Sequence, residues 1–171
     1  MSRRFAPLLL AAGLALSGCG LRPLYGGGGA GPVAQSLRSI DVAPIGGRAG
    51  WLVRTALEDR LAPSGNGADA PHRYRLEVTL DDQIIGFGVR RDDAETRERR
   101  SLRARYRLVE IDKNTVVLDA TAGSDAGIDV VSSEYATVAA EQSALERLSR
   151  EVADQIVTRL AQFASRGGGT P

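Results

Sequence analysis

The most reactive side chain in this sequence is that of Cys19, the only cysteine among 171 residues. A thiolate is the most nucleophilic side chain, and a lone cysteine cannot form a disulfide within its own chain. Leu16, Ser17 and Gly18 precede it, at the end of an apolar run that starts after two arginines. A short basic start, an apolar middle and small residues before a processing point are typical of a secretory signal peptide.

The apolar run from Phe5 to Leu16 is shorter than the roughly 20 residues that span a bilayer. A leucine, two small residues and a cysteine resemble the lipobox of bacterial lipoproteins. That resemblance implies a diacylglycerol on the sulfur of Cys19, cleavage after Gly18 and acylation of the new amine. The alternatives are a signal peptide with a cysteine near its cleavage point, or a free buried thiol. In the lipidated case residues 1–18 belong to no fold.

A row of arginines is the second unusual feature, and its members lie two or four residues apart: Arg97, Arg99, Arg103, Arg105 and Arg107. On a β-strand they all project from one sheet face, about 6.6–7 Å apart for every second residue. Like charges in a row need acids opposite them or an anionic ligand, and arginine binds phosphate in a bidentate manner. We therefore predict either anion binding or a solvated face with cross-strand partners such as Glu77, Asp81 and Asp119.

Other reactive groups are sparse, which argues against an enzyme. The single histidine, His72, follows Pro71 in a loop-like segment, and we expect it to be solvated. Neighbouring acids in Asp81-Asp82 point to opposite faces of a strand, and Asp92-Asp93 reads as a turn, so neither pair is expected to bind metal. We expect no metal and no cofactor. Without residues 1–18 the chain has 20 basic and 21 acidic side chains, which does not favour nucleic-acid binding.

The elements that must position these residues follow the order β-α-β-β-β-α. We expect a strand in residues 36–45, a helix in 48–62, three alternating strands between 73 and 122, and a long helix over 136–165. In the fourth strand Val116, Leu118, Ala120 and Ala122 point inward, and regular pairing ends at Gly123 to Gly127. Trp51 is expected to be a core or staple residue at the start of the first helix.

One apolar face per strand and one apolar stripe per helix predict a two-layer α+β sandwich. In it, two helices cover one face of a four-stranded, mostly antiparallel sheet. Residues 19–35 form a flexible tether, 36–165 the domain, and 166–171 a disordered tail. Within the tether, Leu24 and Tyr25 could instead dock on the domain or on a partner.

Two stretches of the sequence resemble the LptE family of LPS-assembly lipoproteins, in its alphaproteobacterial branch. Gly18-Cys19-Gly20-Leu21-Arg22-Pro23-Leu24-Tyr25-Gly26 is similar to the mature N-terminus of that family, although Leu21 stands where an aromatic residue is common. Thr137 to Ala144 is similar to the entry of the family's last helix. With the element order, the resemblance covers roughly Cys19 to Ser165.

The resemblance implies a non-enzymatic outer-membrane lipoprotein that sits in the LptD β-barrel as its partner and plug and acts with it in LPS transport. Gly20, rather than aspartate, follows Cys19, which in the usual sorting code implies the outer membrane. The arginine row would then contact the phosphates of lipid A, though no family residue aligns clearly enough to carry over. The alternatives are a tethered periplasmic carrier or chaperone for a lipid or subunit without a barrel partner, and a hydrolase.

Overall fold

The structure, a computed structural model, describes residues 31–61, 71–89, 95–131 and 133–167. Cys19, most of the tether, Asp92-Asp93 and the tail from residue 168 lie outside this part, so the predictions made for them stay predictions. Along the described chain the elements are α1 (Pro32–Arg38), β1 (Ile40–Val42), α2 (Gly47–Leu61), β2 (Tyr74–Val89), β3 (Glu95–Glu110), β4 (Thr115–Asp129) and α3 (Glu134–Ser165).

The strands form one sheet in the order β1-β2-β3-β4. Strand β1 is parallel to β2, whereas the β2–β3 and β3–β4 pairs are antiparallel. The turn between β3 and β4 ends at Asn114, whose φ of 48° is one that asparagine tolerates better than most residues. The predicted α+β class, with its four-stranded, mostly antiparallel sheet, is confirmed.

One hydrophobic core lies between the sheet and the helices. The side chains of β3 that face this core are Leu102, Ala104, Tyr106 and Leu108, and all four are buried, as their alternation predicted. The buried stripe of α3 includes Leu145, Leu148, Val152, Ile156 and Leu160. Since the arginine row alternates with the buried residues of β3, the core fixes the arginines on the opposite face, here called the outer face.

Helix α1 is a correction to the sequence-based expectation, which placed tether up to residue 35 and a strand over 36–45. Residues 32–38 are helical, and the strand that follows has only three residues. Val33 and Leu37, four residues apart, lie on one side of α1 and pack into the core. Pro32 occupies the first helical position, where its missing N–H costs nothing. This burial outweighs the loose alternation that favoured a strand.

Strand β4 is also longer than expected, because it continues past Gly123 to Asp129. Ala126 and Ile128 are buried in the core, and this burial favours continued pairing with β3. At the other end Val116 is exposed instead of inward, since a register irregularity at Leu108/Val109 displaces it.

The expectation for Trp51 was wrong, because its side chain is 63% exposed. Helix α2 turns Val53 and Leu57 toward the core, and Trp51 lies on the far side of the helix from them. The residue that packs tightly near the helix start is its neighbour Gly50. A Cβ at that position would lie 2.6 Å from the carbonyl oxygen of Ile45.

Candidate functional site

The outer face of β3 carries the whole arginine row, and each of its five side chains is exposed. Strand β3 lies between β2 and β4, so every arginine has a neighbour on both sides. The register places Arg103 between Asp81 and Gly123, and Arg107 between Glu77 and Asp119. The structure therefore brings together the predicted candidate residues of this row on one surface.

Four of the five arginines form ion pairs with acids of the neighbouring strands. The nitrogen–oxygen distances are 3.1 Å for Arg97–Asp129, 2.7 Å for Arg103–Asp125, 3.0 Å for Arg105–Asp119 and 2.9 Å for Arg107–Glu77. The predicted partners Glu77 and Asp119 are confirmed. Asp81 is not a partner, because its carboxylate instead accepts a hydrogen bond from the amide of Gln83 at 3.1 Å.

In two of these pairs the pKa of the acid is lowered, as expected when hydrogen bonds stabilise its charged form. The hydrogen bond from Arg105, aided by its charge, lowers the pKa of Asp119 and raises that of the guanidinium itself. The pKa of Asp125 is lowered first by the Ser101 hydroxyl and then by Arg103. Because these groups are exposed, water and salt weaken the attraction within each pair.

Arg99 differs from the rest of the row. Its guanidinium carbon lies 5.6 Å from the ring centroid of Phe87, and among the described residues it has no carboxylate at ion-pair distance. Ile85, directly opposite Arg99 on β2, is 55% exposed, and Phe87 is 41% exposed. We name Ile85, Phe87 and Arg99 the amphipathic patch. It offers a cation and apolar surface side by side, near the end of β2 and the start of β3.

A shallow groove of about 620 Å³ opens on the outer face farther along the sheet. Arg103 and Arg105 line it together with Thr79, Asp81 and Thr121. Two guanidinium groups and two hydroxyls are donors suited to phosphate oxygens, while Asp81 opposes an anion. The groove is open to solvent.

Sequence reasoning missed Arg100, which projects to the core side of the sheet. It donates to both oxygens of Asp82, at 2.8 and 2.6 Å, and to the backbone carbonyl of Glu141 in α3, at 2.9 Å. The hydrogen bonds to Asp82 raise the pKa of Arg100 in spite of its burial. Its even position in β3, shared with Leu102, was the signal that could have revealed it.

The remaining candidates do not assemble into a catalytic or metal site within the described part of the chain. His72 is exposed and outside any helix or strand, as predicted. Asp81 and Asp82 lie on opposite faces, since Asp82 pairs with Arg100 on the core side while Asp81 lines the outer groove. Among these residues no group of three metal-ligating side chains converges.

A family model described as LptE, lipopolysaccharide-assembly, matches residues 37–160. A lipoprotein of Caulobacter crescentus is 28% identical in sequence, with a TM-score of 0.64 over 78% of this chain and 96% of that one. No curated protein sequence matches the chain.

Two more distant structures share the fold alone. Lipoprotein B of Nitrosomonas europaea is 14% identical, with a TM-score of 0.55 over 75% of this chain and 83% of that one. Rare lipoprotein B of Shewanella oneidensis is 11% identical, with a TM-score of 0.51 over 74% of this chain and 96% of that one.

Proposed function

The chain belongs to the LptE family of lipopolysaccharide-assembly lipoproteins, and from that premise we propose that it is an outer-membrane partner of the LptD barrel. The observation that carries the proposal is the family match over residues 37–160, which spans most of the described domain. LptE is a non-enzymatic family, so this protein acts by binding and positioning other molecules.

The proposed attachment to the membrane depends on Cys19 and its acyl chains. Among the helices of the described residues, none is long and apolar enough to cross a bilayer. In this proposal the lipobox-like Leu16 to Cys19 supplies the anchor, and Gly20 after the cysteine favours the outer membrane. The glycine-rich sequence Gly26 to Gly29 lies between this anchor and the domain.

The proposed place of the domain is the lumen of the barrel. The interior of an outer-membrane barrel is polar, and the outer face of this sheet is covered by alternating arginines and acids. Such a face is better suited to contact the hydrated, polar inner wall of a barrel than the hydrocarbon of a membrane.

Affinity purification tests the barrel partnership. The full-length protein, tagged after Pro171 and extracted from membranes in detergent, is expected to bring a large β-barrel protein with it at a fixed ratio. If the chain is purified from membranes repeatedly without such a protein, the barrel proposal is wrong and the tethered carrier is favoured.

The amphipathic patch is the proposed contact for LPS. Lipid A combines phosphates with acyl chains, and the patch combines the guanidinium of Arg99 with the exposed side chains of Ile85 and Phe87. Arg99 meets an anion without first giving up a carboxylate partner among the described residues. The other arginines of the row would add weaker contacts, since each must leave an acid.

Substitution of Arg99 tests this contact. Arg99→Ala is expected to weaken LPS binding by the detergent-solubilised protein several-fold, because it removes a cation that makes no ion pair among the described residues. The matched control is Arg107→Ala on the same strand, whose guanidinium is occupied by Glu77. Binding is measured with labelled LPS at fixed salt. Equal affinities for the two variants and the wild type would contradict the proposed contact and leave the barrel partnership untouched.

A further inference from the structure

Strand β4 is an edge of the sheet, and one side-chain amide caps the middle of that edge. The backbone N–H of Gly123 donates to Oε1 of Gln155 at 3.1 Å, and Nε2 of Gln155 donates to the carbonyl of Gly123 at 3.1 Å. Gln155 thus makes the donor–acceptor pair that a residue of a fifth strand would make. It reaches the edge from α3, one turn after Glu151, whose carboxylate accepts a hydrogen bond from Ser124.

The position of this cap shows which backbone groups of β4 face open space. Since Gly123 points its N–H and carbonyl away from β3, the alternation of an antiparallel strand turns those of Asp119, Thr121, Asp125 and Gly127 the same way. Among the described residues, none of these four has a backbone hydrogen-bond partner outside its own sheet. An edge of this length is a template for another strand.

The sequence around Gly123 is nearly self-complementary. Antiparallel pairing of two copies of β4 about Gly123 would set Thr121 opposite Asp125 and Asp119 opposite Gly127, so no two acids face each other. On the core side it would set Leu118 opposite Ile128 and Ala120 opposite Ala126. Each small or apolar residue therefore meets another, as a two-fold symmetric contact requires.

We propose that the edge of β4 is a pairing surface for β4 of a second copy of this chain, and that Gln155 is the cap that keeps the chain monomeric. The amide competes directly with an incoming strand for the groups of Gly123, at the centre of the two-fold contact. The outer side of Gly123 is already covered, because the side chain of Arg103 crosses it so closely that a Cβ would lie 2.6 Å from its Cδ. On the edge side, the hydrogen bonds to Gly123 from outside the sheet come from Gln155 alone among the described residues.

The test is the mass of the full-length protein in detergent, measured by light scattering with the micelle subtracted. The wild type is expected to be a monomer, and Gln155→Ala to double the protein mass as concentration rises. Gln162→Ala is the matched control on the same helix, since Gln162 lies beside the edge but makes no bond to Gly123; it is expected to stay monomeric. The backbone N–H groups of Thr121 and Asp125 should exchange more slowly with solvent in the dimer.

Charges at position 121 identify the surface. In the Gln155→Ala background, Thr121→Asp places two acids opposite each other and should restore the monomer, whereas Thr121→Lys faces Asp125 and should strengthen the dimer. The proposal is overturned if the wild type is itself a dimer, or if the folded Gln155→Ala protein stays monomeric at every concentration. It is also overturned if the Gln155→Ala protein forms a dimer whose stability does not change with the charge at position 121. None of these results bears on the barrel partnership.

Discussion

The cysteine of the wild-type protein is expected not to react with maleimide, even after complete denaturation. Cys19 is the only cysteine in the chain, so the labelled fraction reports this one sulfur alone. If a diacylglycerol occupies the sulfur as a thioether, no thiol is left to react. Intact mass should then show a protein that begins at Cys19 and carries three acyl chains. At about 0.8 kcal/mol per buried CH₂, three chains anchor a protein far more firmly than one.

Two variants control this experiment. Gly127→Cys adds a thiol at an open position where a Cβ would have no neighbouring atom within 4 Å, and it should take up one equivalent of label. Cys19→Ser should retain residues 1–18 without acyl mass, because a hydroxyl does not replace the thiolate in the transfer. One equivalent of label on the denatured wild type would contradict lipidation and, with it, the proposed mode of membrane attachment.

Arg100→Met is expected to destabilise the domain by about 2–3 kcal/mol, because it leaves the partly buried carboxylate of Asp82 without its cationic partner. The side chains of Arg100 and Asp82 are only 12% and 24% exposed, and the same guanidinium also reaches the backbone of α3. Removing the guanidinium eliminates its hydrogen bonds to Asp82 in β2 and to Glu141 in the first half of α3 at the same time. The change is measured as the free energy of unfolding in urea.

The double variant Arg100→Met/Asp82→Leu separates a lost pair from an unpaired acid. Replacing both partners with apolar groups should recover part of the loss, since no charge is then left without a partner. Arg107→Ala, which breaks the exposed pair with Glu77 on the outer face, should cost much less. Equal losses for the Arg100 and Arg107 variants would mean that burial of the Arg100 pair contributes nothing to stability.

The arginine row shows how far alternation alone predicts a site. Which face the five arginines share follows from the period of a strand and from the buried residues between them, and the structure confirms it. Which acids they meet does not follow, because partners depend on register between strands that are distant in sequence. Asp125 and Asp129 became partners because β4 continues to Asp129, whereas the sequence predicted that regular pairing would end near Gly123.

By itself the sequence determined the class of the fold and the buried stripe of α3, because each depends on local periodicity. The lipobox-like segment and the family resemblance were also readable from short runs of residues. Only the tertiary structure decided that residues 32–38 form a helix, that Arg100 joins Asp82 to α3, and that Gln155 caps Gly123. These features join elements far apart in the chain, and the energy of burial and hydrogen bonding that favours them exists only once those elements are packed.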